Sequence, residues 1–291
     1  MTAAIALQLG RVSNLPTVWS NVLAGTVLAG GQPWRPATLL VMLAVSLLYV
    51  GGMYLNDAFD RDIDARERPG RPIPAGLIAA NTVFAAGFGM LLAGITVAML
   101  AAVMTGPESV WRPVLASVAL AGAIVFYDWN HKGNALSPFF MGLCRVLAYL
   151  TAGYAAASAP GLGLFAAALI SLCYLIGLTY IAKQEAYDRI GSLWPLLFLA
   201  APILYGLTQI THAPVAVSVV GAALLIWIGQ ALSYLRRRGP GDVPRAVVSL
   251  IAGISLVDAL FLAAAGALLA AAAAVLCFIA TLLTQRWVSG T

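Results

Sequence analysis

The sequence is poor in charge. Lys, Arg, Asp and Glu make up 9% of its 291 residues, where a soluble globular chain carries about a quarter. With 62% hydrophobic residues and a mean hydropathy of +0.92, that shortage excludes a soluble domain with a single anchor. Runs of about 18 or more apolar residues read as membrane spans, and several follow one another here. Metal-type cysteine spacing is also missing. Cys144, Cys173 and Cys277 each fall inside an apolar run and read as small packing residues. No basic region precedes the first apolar stretch, so a cleavable signal peptide is not expected.

The apolar runs predict an all-α, polytopic transmembrane bundle occupying residues 1–291 as one domain. Spans are expected at 15–31, 37–56, 79–105, 112–128, 138–158, 162–182, 193–211 and 214–235, followed by a stretch at 246–284. That last stretch is too long for one straight crossing at about 1.5 Å per residue. Nine crossings are expected, with 246–256 partly at the interface; ten, divided at Gly266, is the alternative. Arg61, Arg66, Arg68, Arg71, Lys132, Lys183, Arg189, Arg236, Arg237, Arg238 and Arg245 follow the even-numbered spans, against Arg35 and Arg112 in the other loops. The positive-inside rule then puts these basic loops in the cytoplasm. The net charge of +5 is thus a topology signal, and no nucleic-acid partner is expected.

Much of the charge that does exist sits in one place. "NDAFDRDIDARERPGRPIPAG", residues 56–76, holds five acids and four arginines. Asn56, Asp60 and Asp64 are spaced to stack along one helical face. Asp60 and Asp64 are then like charges one turn apart at the membrane boundary, where charge is costly. Arg61 and Arg66 are expected to pair with Asp57 and Asp62, leaving Asp60 and Asp64 for another cation. Oxygen-only ligands suit Mg²⁺, which commonly takes one or two carboxylates plus substrate phosphates; a solvated, salt-bridged helix end is the alternative. Pro69, Pro72 and Pro74 stop the helix and hold Arg71 on a turn beside the acids, where a guanidinium suits phosphate oxygens.

The pattern N-D-x-x-D-x-x-x-D at 56–64, followed by R-P-I-P at 71–74, resembles the UbiA superfamily of integral membrane prenyltransferases. "GRVSNLPTVWSNVLAG" at 10–25 looks like that family's first helix. "YDWNHKGN" with "SPFFMGLCR" is similar to the EboC-like branch. The resemblance implies a bundle around a central cavity that opens to the cytoplasm, in a multi-pass protein of the bacterial inner (plasma) membrane. Prenyl diphosphate would bind through Mg²⁺ between two acidic motifs. Asn56, Asp60 and Asp64 would form one half-site, and Gln184 and Asp188 the other. Gln184 stands where the family usually has an acid, which puts the second metal in doubt, and Glu185 is a neighbouring substitute.

By the same resemblance, Asp60, Asp64, Asp188 and Tyr127 carry catalysis. Tyr127 would stabilise an allylic cation through its ring face; an interfacial belt residue is the alternative. His131 is a polar loop residue or a base. Arg11, Asn21, Asn56, Arg71, Lys132, Arg145 and Lys183 would bind substrate. Arg145 lies about two turns inside the fifth span, where an arginine is functional by default; a structural pair with Asp128 is the alternative. Asp258 has no assigned role. The implied reaction is Mg²⁺-dependent transfer of a prenyl group from prenyl diphosphate to a small aromatic or lipid-precursor acceptor drawn from the membrane. A terpene cyclase of the same superfamily and a non-enzymatic transporter or lipid scaffold are the alternatives.

Overall fold

The computed structural model describes residues 2–106, 110–183, 193–237 and 239–290. All regular structure among them is helical, as lipid demands of a backbone that must satisfy its own hydrogen bonds. A short α1 (Ala3–Leu9) and a 3₁₀ turn at Val12–Asn14 lead into α2 (Leu15–Leu28). Then come α3 (Pro36–Phe59), α4 (Arg61–Glu67), α5 (Ala80–Thr105), α6 (Trp111–Asn130), α7 (Ser137–Ala156) and α8 (Leu162–Lys183). A 3₁₀ segment (Trp194–Ala200) continues into α9 (Ala201–Gln209). The chain ends with α10 (Pro214–Arg237), α11 (Asp242–Ala264) and α12 (Leu268–Thr284). Of the described helices, α3, α5, α6, α7, α8, α10 and α11 are long and apolar enough to cross a membrane.

The stretch 246–284 departs from expectation. Gly266 adopts φ 73°, a left-handed conformation open to glycine, and ends α11 there. Residues 246–256 belong to α11 and are largely buried against neighbouring helices. α11 is the most buried of the seven long apolar helices and contacts α2, α8, α9, α10 and α12. The reason is its composition. Val247, Leu250, Ile254 and Val257 fill the core, while Ala252, Gly253, Ser255 and Ala259 let neighbours come close. The two ends of the chain meet. Thr284 Oγ1 donates to Ser13 O at 2.9 Å, Asn14 Nδ2 to Gly290 O at 2.9 Å and Gln285 Nε2 to Asn14 Oδ1 at 3.0 Å.

Small residues set the helix spacing elsewhere too. A Cβ on Gly25 of α2 would lie 2.8 Å from Tyr149 O of α7, a backbone atom that cannot step aside. Gly25→Ala is therefore expected to cost about 1–3 kcal/mol through forced separation of the two helices. Gly229→Ala, with open space around it, is expected to be neutral or mildly stabilising in its helix. Thermal melting in detergent measures both; equal midpoints for the two variants would refute the close-approach argument.

Candidate active site

The continuous stack expected for Asn56, Asp60 and Asp64 is broken. α3 ends at Phe59 and the chain bends at Asp60 into α4, so each side chain finds a different partner. Arg11 Nη2 donates to Asn56 Oδ1 and Asp57 Oδ1, both at 3.2 Å. Arg71 Nη1 reaches Asp57 Oδ1 at 3.1 Å and Asp64 Oδ2 at 2.8 Å. Asp60 Oδ2 faces His131 Nε2 at 3.4 Å and Lys132 Nζ at 3.3 Å. The expected pairing of Arg61 and Arg66 with Asp57 is thereby corrected. Arg61 lies 3.7 Å from Asp62, and Arg66 Nε donates to Asp62 O. Asp57 is too deep for either and is served by Arg11 and Arg71, so Asp60 and Asp64 are compensated from within the chain. Arg11 itself holds φ 42°, a conformation costly for a non-glycine residue and typical of functional sites.

Burial pushes the Asp60 carboxyl up, but the His131 hydrogen bond and the charges of His131 and Lys132 outweigh it and hold Asp60 below the usual carboxylate range. His131 Nδ1 meanwhile lies 3.2 Å from the carbonyls of Tyr127 and Asp128. The His131 ring stacks on Tyr127, with centroids 4.9 Å apart.

These groups stand at the mouth of a cavity of about 390 Å³. Arg11, Arg68, Arg71, Lys132, Arg145 and Lys183 line it against Asp60, Glu67 and Asp128. Its remaining wall is largely apolar, with Val18, Val45, Leu120, Ile124, Leu175, Leu178 and Ile254. Asn56 and Tyr127 also line it. Two expected site residues do not: Asp64 is buried behind Arg71, and Asn21 is fully buried. Lys183 ends α8, and its Nζ donates to Asn134 O at 2.6 Å, so the α6–α7 loop and the end of α8 share the mouth. Gln184, Glu185 and Asp188 lie outside the described residues.

Asn21 joins a network that sequence reasoning missed. Arg145 of α7 donates to Thr17 O at 3.1 Å, to Thr17 Oγ1 at 2.9 Å and to Asn21 Oδ1. Asn21 Nδ2 donates onward to both oxygens of Asp258, at 2.9 and 2.8 Å. Ser20 Oγ and the Tyr149 hydroxyl also donate to Asp258. Arg145 therefore does not pair with Asp128; its counter-charge is Asp258, with the Asn21 amide between them. Polar residues spaced three and four apart on α2, Thr17, Ser20 and Asn21, were the available signal.

Asn56, Asp60 and Asp128 line the cavity as hard oxygen donors, and Asp128 Oδ2 is a buried acceptor with no hydrogen-bond partner among the described residues. That donor set fits Mg²⁺. No cluster of three or more His, Cys, Asp or Glu suited to a metal occurs among the described residues, so such a cation would need further ligands beyond acidic side chains.

The fold and site define a membrane-embedded helical bundle whose cavity has a charged mouth and an apolar depth. A model of the UbiA prenyltransferase family matches residues 17–246, and the chain belongs to that family. The digeranylgeranylglyceryl phosphate synthase of Thermococcus kodakarensis is 29% identical over 222 residues, 74% of each chain. The chloroplastic chlorophyll synthase of Oryza sativa subsp. japonica is 35% identical over 132 residues, 43% of this chain and 34% of that protein. The apo structure of a UbiA homologue from Aeropyrum pernix K1 shares the fold with a TM-score of 0.60, at 18% identity, covering 83% of this chain and 94% of that one.

Proposed function

We propose that this chain is a Mg²⁺-dependent prenyltransferase that moves a prenyl group from a prenyl diphosphate to a small aromatic or other lipid-precursor acceptor. The observation that carries the reading is the polarity split of the cavity, with cations at its mouth and aliphatic side chains below. A diphosphate head with an isoprenoid tail has the same split. The C1–O bond breaks to give an allylic cation and diphosphate, an acceptor atom bonds to C1, and its proton is released. Arg11, Arg71, Lys132 and Lys183 stabilise the negative charge that grows on the leaving group. The aliphatic wall holds the tail and keeps water from the cation, while the Tyr127 face not covered by His131 offers it π density. Mg²⁺, held by Asn56 and Asp60 with Gln184 and Asp188 in support, would supply Lewis-acid charge to the leaving diphosphate. Asp64 anchors Arg71 in this scheme. The stretches around 127–134 and 137–145 are the basis for grouping the chain with the EboC-like branch.

The contact of residues 13–14 with 284–290 puts the start of α2 and the end of α12 on one face and supports an even number of crossings between them, so we read ten, with the mouth cytoplasmic in a bacterial inner membrane. A membrane-impermeant thiol reagent on a cysteine-free background is expected to label Arg66→Cys and Arg237→Cys only from the cytoplasmic side. Labelling from opposite sides would refute the single mouth. The activity test is incubation of purified protein with labelled prenyl diphosphates and a cell lipid extract, followed by mass spectrometry. A prenylated acceptor is expected. A cyclised hydrocarbon as sole product would make the chain a cyclase, and no turnover would leave a binding or transport role.

A further inference from the structure

We propose that Asp128 is a carboxylate ligand of the divalent cation, beside Asp60 and Asn56, and takes the place that spacing alone gives to Asp64. The inference rests on the magnesium reading above.

The ion pairs at the mouth set Asp128 apart. Asp57 meets Arg11 and Arg71, Asp64 meets Arg71, and Asp60 meets Lys132 and His131. No cationic side chain among the described residues pairs with Asp128. The two arginines that flank this part of the cavity are committed elsewhere, Arg11 to Asn56 and Asp57 and Arg145 to Thr17 and Asn21. Asp128 Oδ1 accepts from the neutral Asn56 amide at 3.2 Å. Its Oδ2 is buried with no hydrogen-bond partner among the described residues, although the residue is only 3% exposed. Buried carboxylates are ordinarily paired or bound to metal, so this oxygen marks a cation's place.

Access points the same way. Asp128, Asn56 and Asp60 line the cavity and Asp64 does not. Asp64 Oδ2 is already held by Arg71 at 2.8 Å. A cation arriving from the cavity meets the free oxygen of Asp128 without breaking an ion pair, whereas reaching Asp64 requires displacing a buried guanidinium. The hydrogen bond from Asn56 Nδ2 fixes the Asp128 carboxylate in orientation before the cation arrives, a support that metal ligands commonly need.

The test uses the full chain in detergent, with Mn²⁺ alone as the probe and no prenyl diphosphate. Electron paramagnetic resonance counts the free Mn²⁺, and thermal melting checks each variant. Asp128→Asn is expected to weaken Mn²⁺ binding by about tenfold or more, and Asp64→Asn by less than about threefold. Asp128→Glu, which keeps the charge, is expected to bind more tightly than Asp128→Asn and serves if the latter does not fold. Parental affinity in Asp128→Asn, equal affinity in the Asn and Glu variants, or a loss confined to Asp64→Asn overturns the assignment while leaving a metal site in place. Failure of the parent to bind Mn²⁺ overturns this inference, and prenyl transfer that persists in EDTA overturns the magnesium reading beneath it.

Discussion

Asp60→Asn is expected to lower turnover by about a thousandfold, roughly 4 kcal/mol of barrier, in a protein that still folds. Asp60 lines the cavity, and its ionised form is favoured by His131 and Lys132. The substitution keeps the shape of the buried side chain and removes one negative charge at the mouth.

 The charge lost is the one that would offset a cation at the mouth, and Lys132 is left without its partner. Turnover at saturating Mg²⁺, with melting followed in parallel, measures both effects. Activity within about tenfold of the parent would remove Asp60 from the machinery.

Asp258→Ala is expected to be the most damaging core change, costing about 3–5 kcal/mol. Asp258 is fully buried and accepts from Ser20, from Asn21 twice and from Tyr149. Alanine strands all of these donors and removes the counter-charge of Arg145. Asp258→Asn, which keeps the size and one acceptor oxygen, should fall between the variant and the parent. Thermal or SDS-induced unfolding in detergent reports the difference. A melting point unchanged in Asp258→Ala would mean that the network carries no stability.

The helices were legible because lipid imposes one rule on every span, and apolar runs end at charge, glycine or proline. α5 was expected at 79–105 and occupies Ala80–Thr105. The turn holding Arg71 beside the acids was legible for a similar local reason, since three prolines follow Arg68 within seven residues. What local pattern does not contain is the identity of distant partners. Asp60 looked uncompensated because its partners, His131 and Lys132, belong to another helix end. Asn21 was assigned to substrate by family resemblance, and it is fully buried away from the cavity lining. Its partner, Asp258, lies 237 positions away, beyond any spacing rule. In the last apolar stretch the break at Gly266 was legible, whereas burial of 246–256 by neighbouring helices, unlike hydropathy, leaves no mark on the local sequence.

The Arg145–Asn21–Asp258 network also orders events in time. Asn21 is made early, Arg145 later and Asp258 near the end of the chain. At synthesis rates of about 5–20 residues per second, the 237 positions between Asn21 and Asp258 take on the order of ten to fifty seconds. Arg145 is made about halfway through that interval, and from then until Asp258 follows it lacks the carboxylate that neutralises it. Arrival of α11 brings that carboxylate, and α12, made last and packed on both α11 and α2, then closes the bundle.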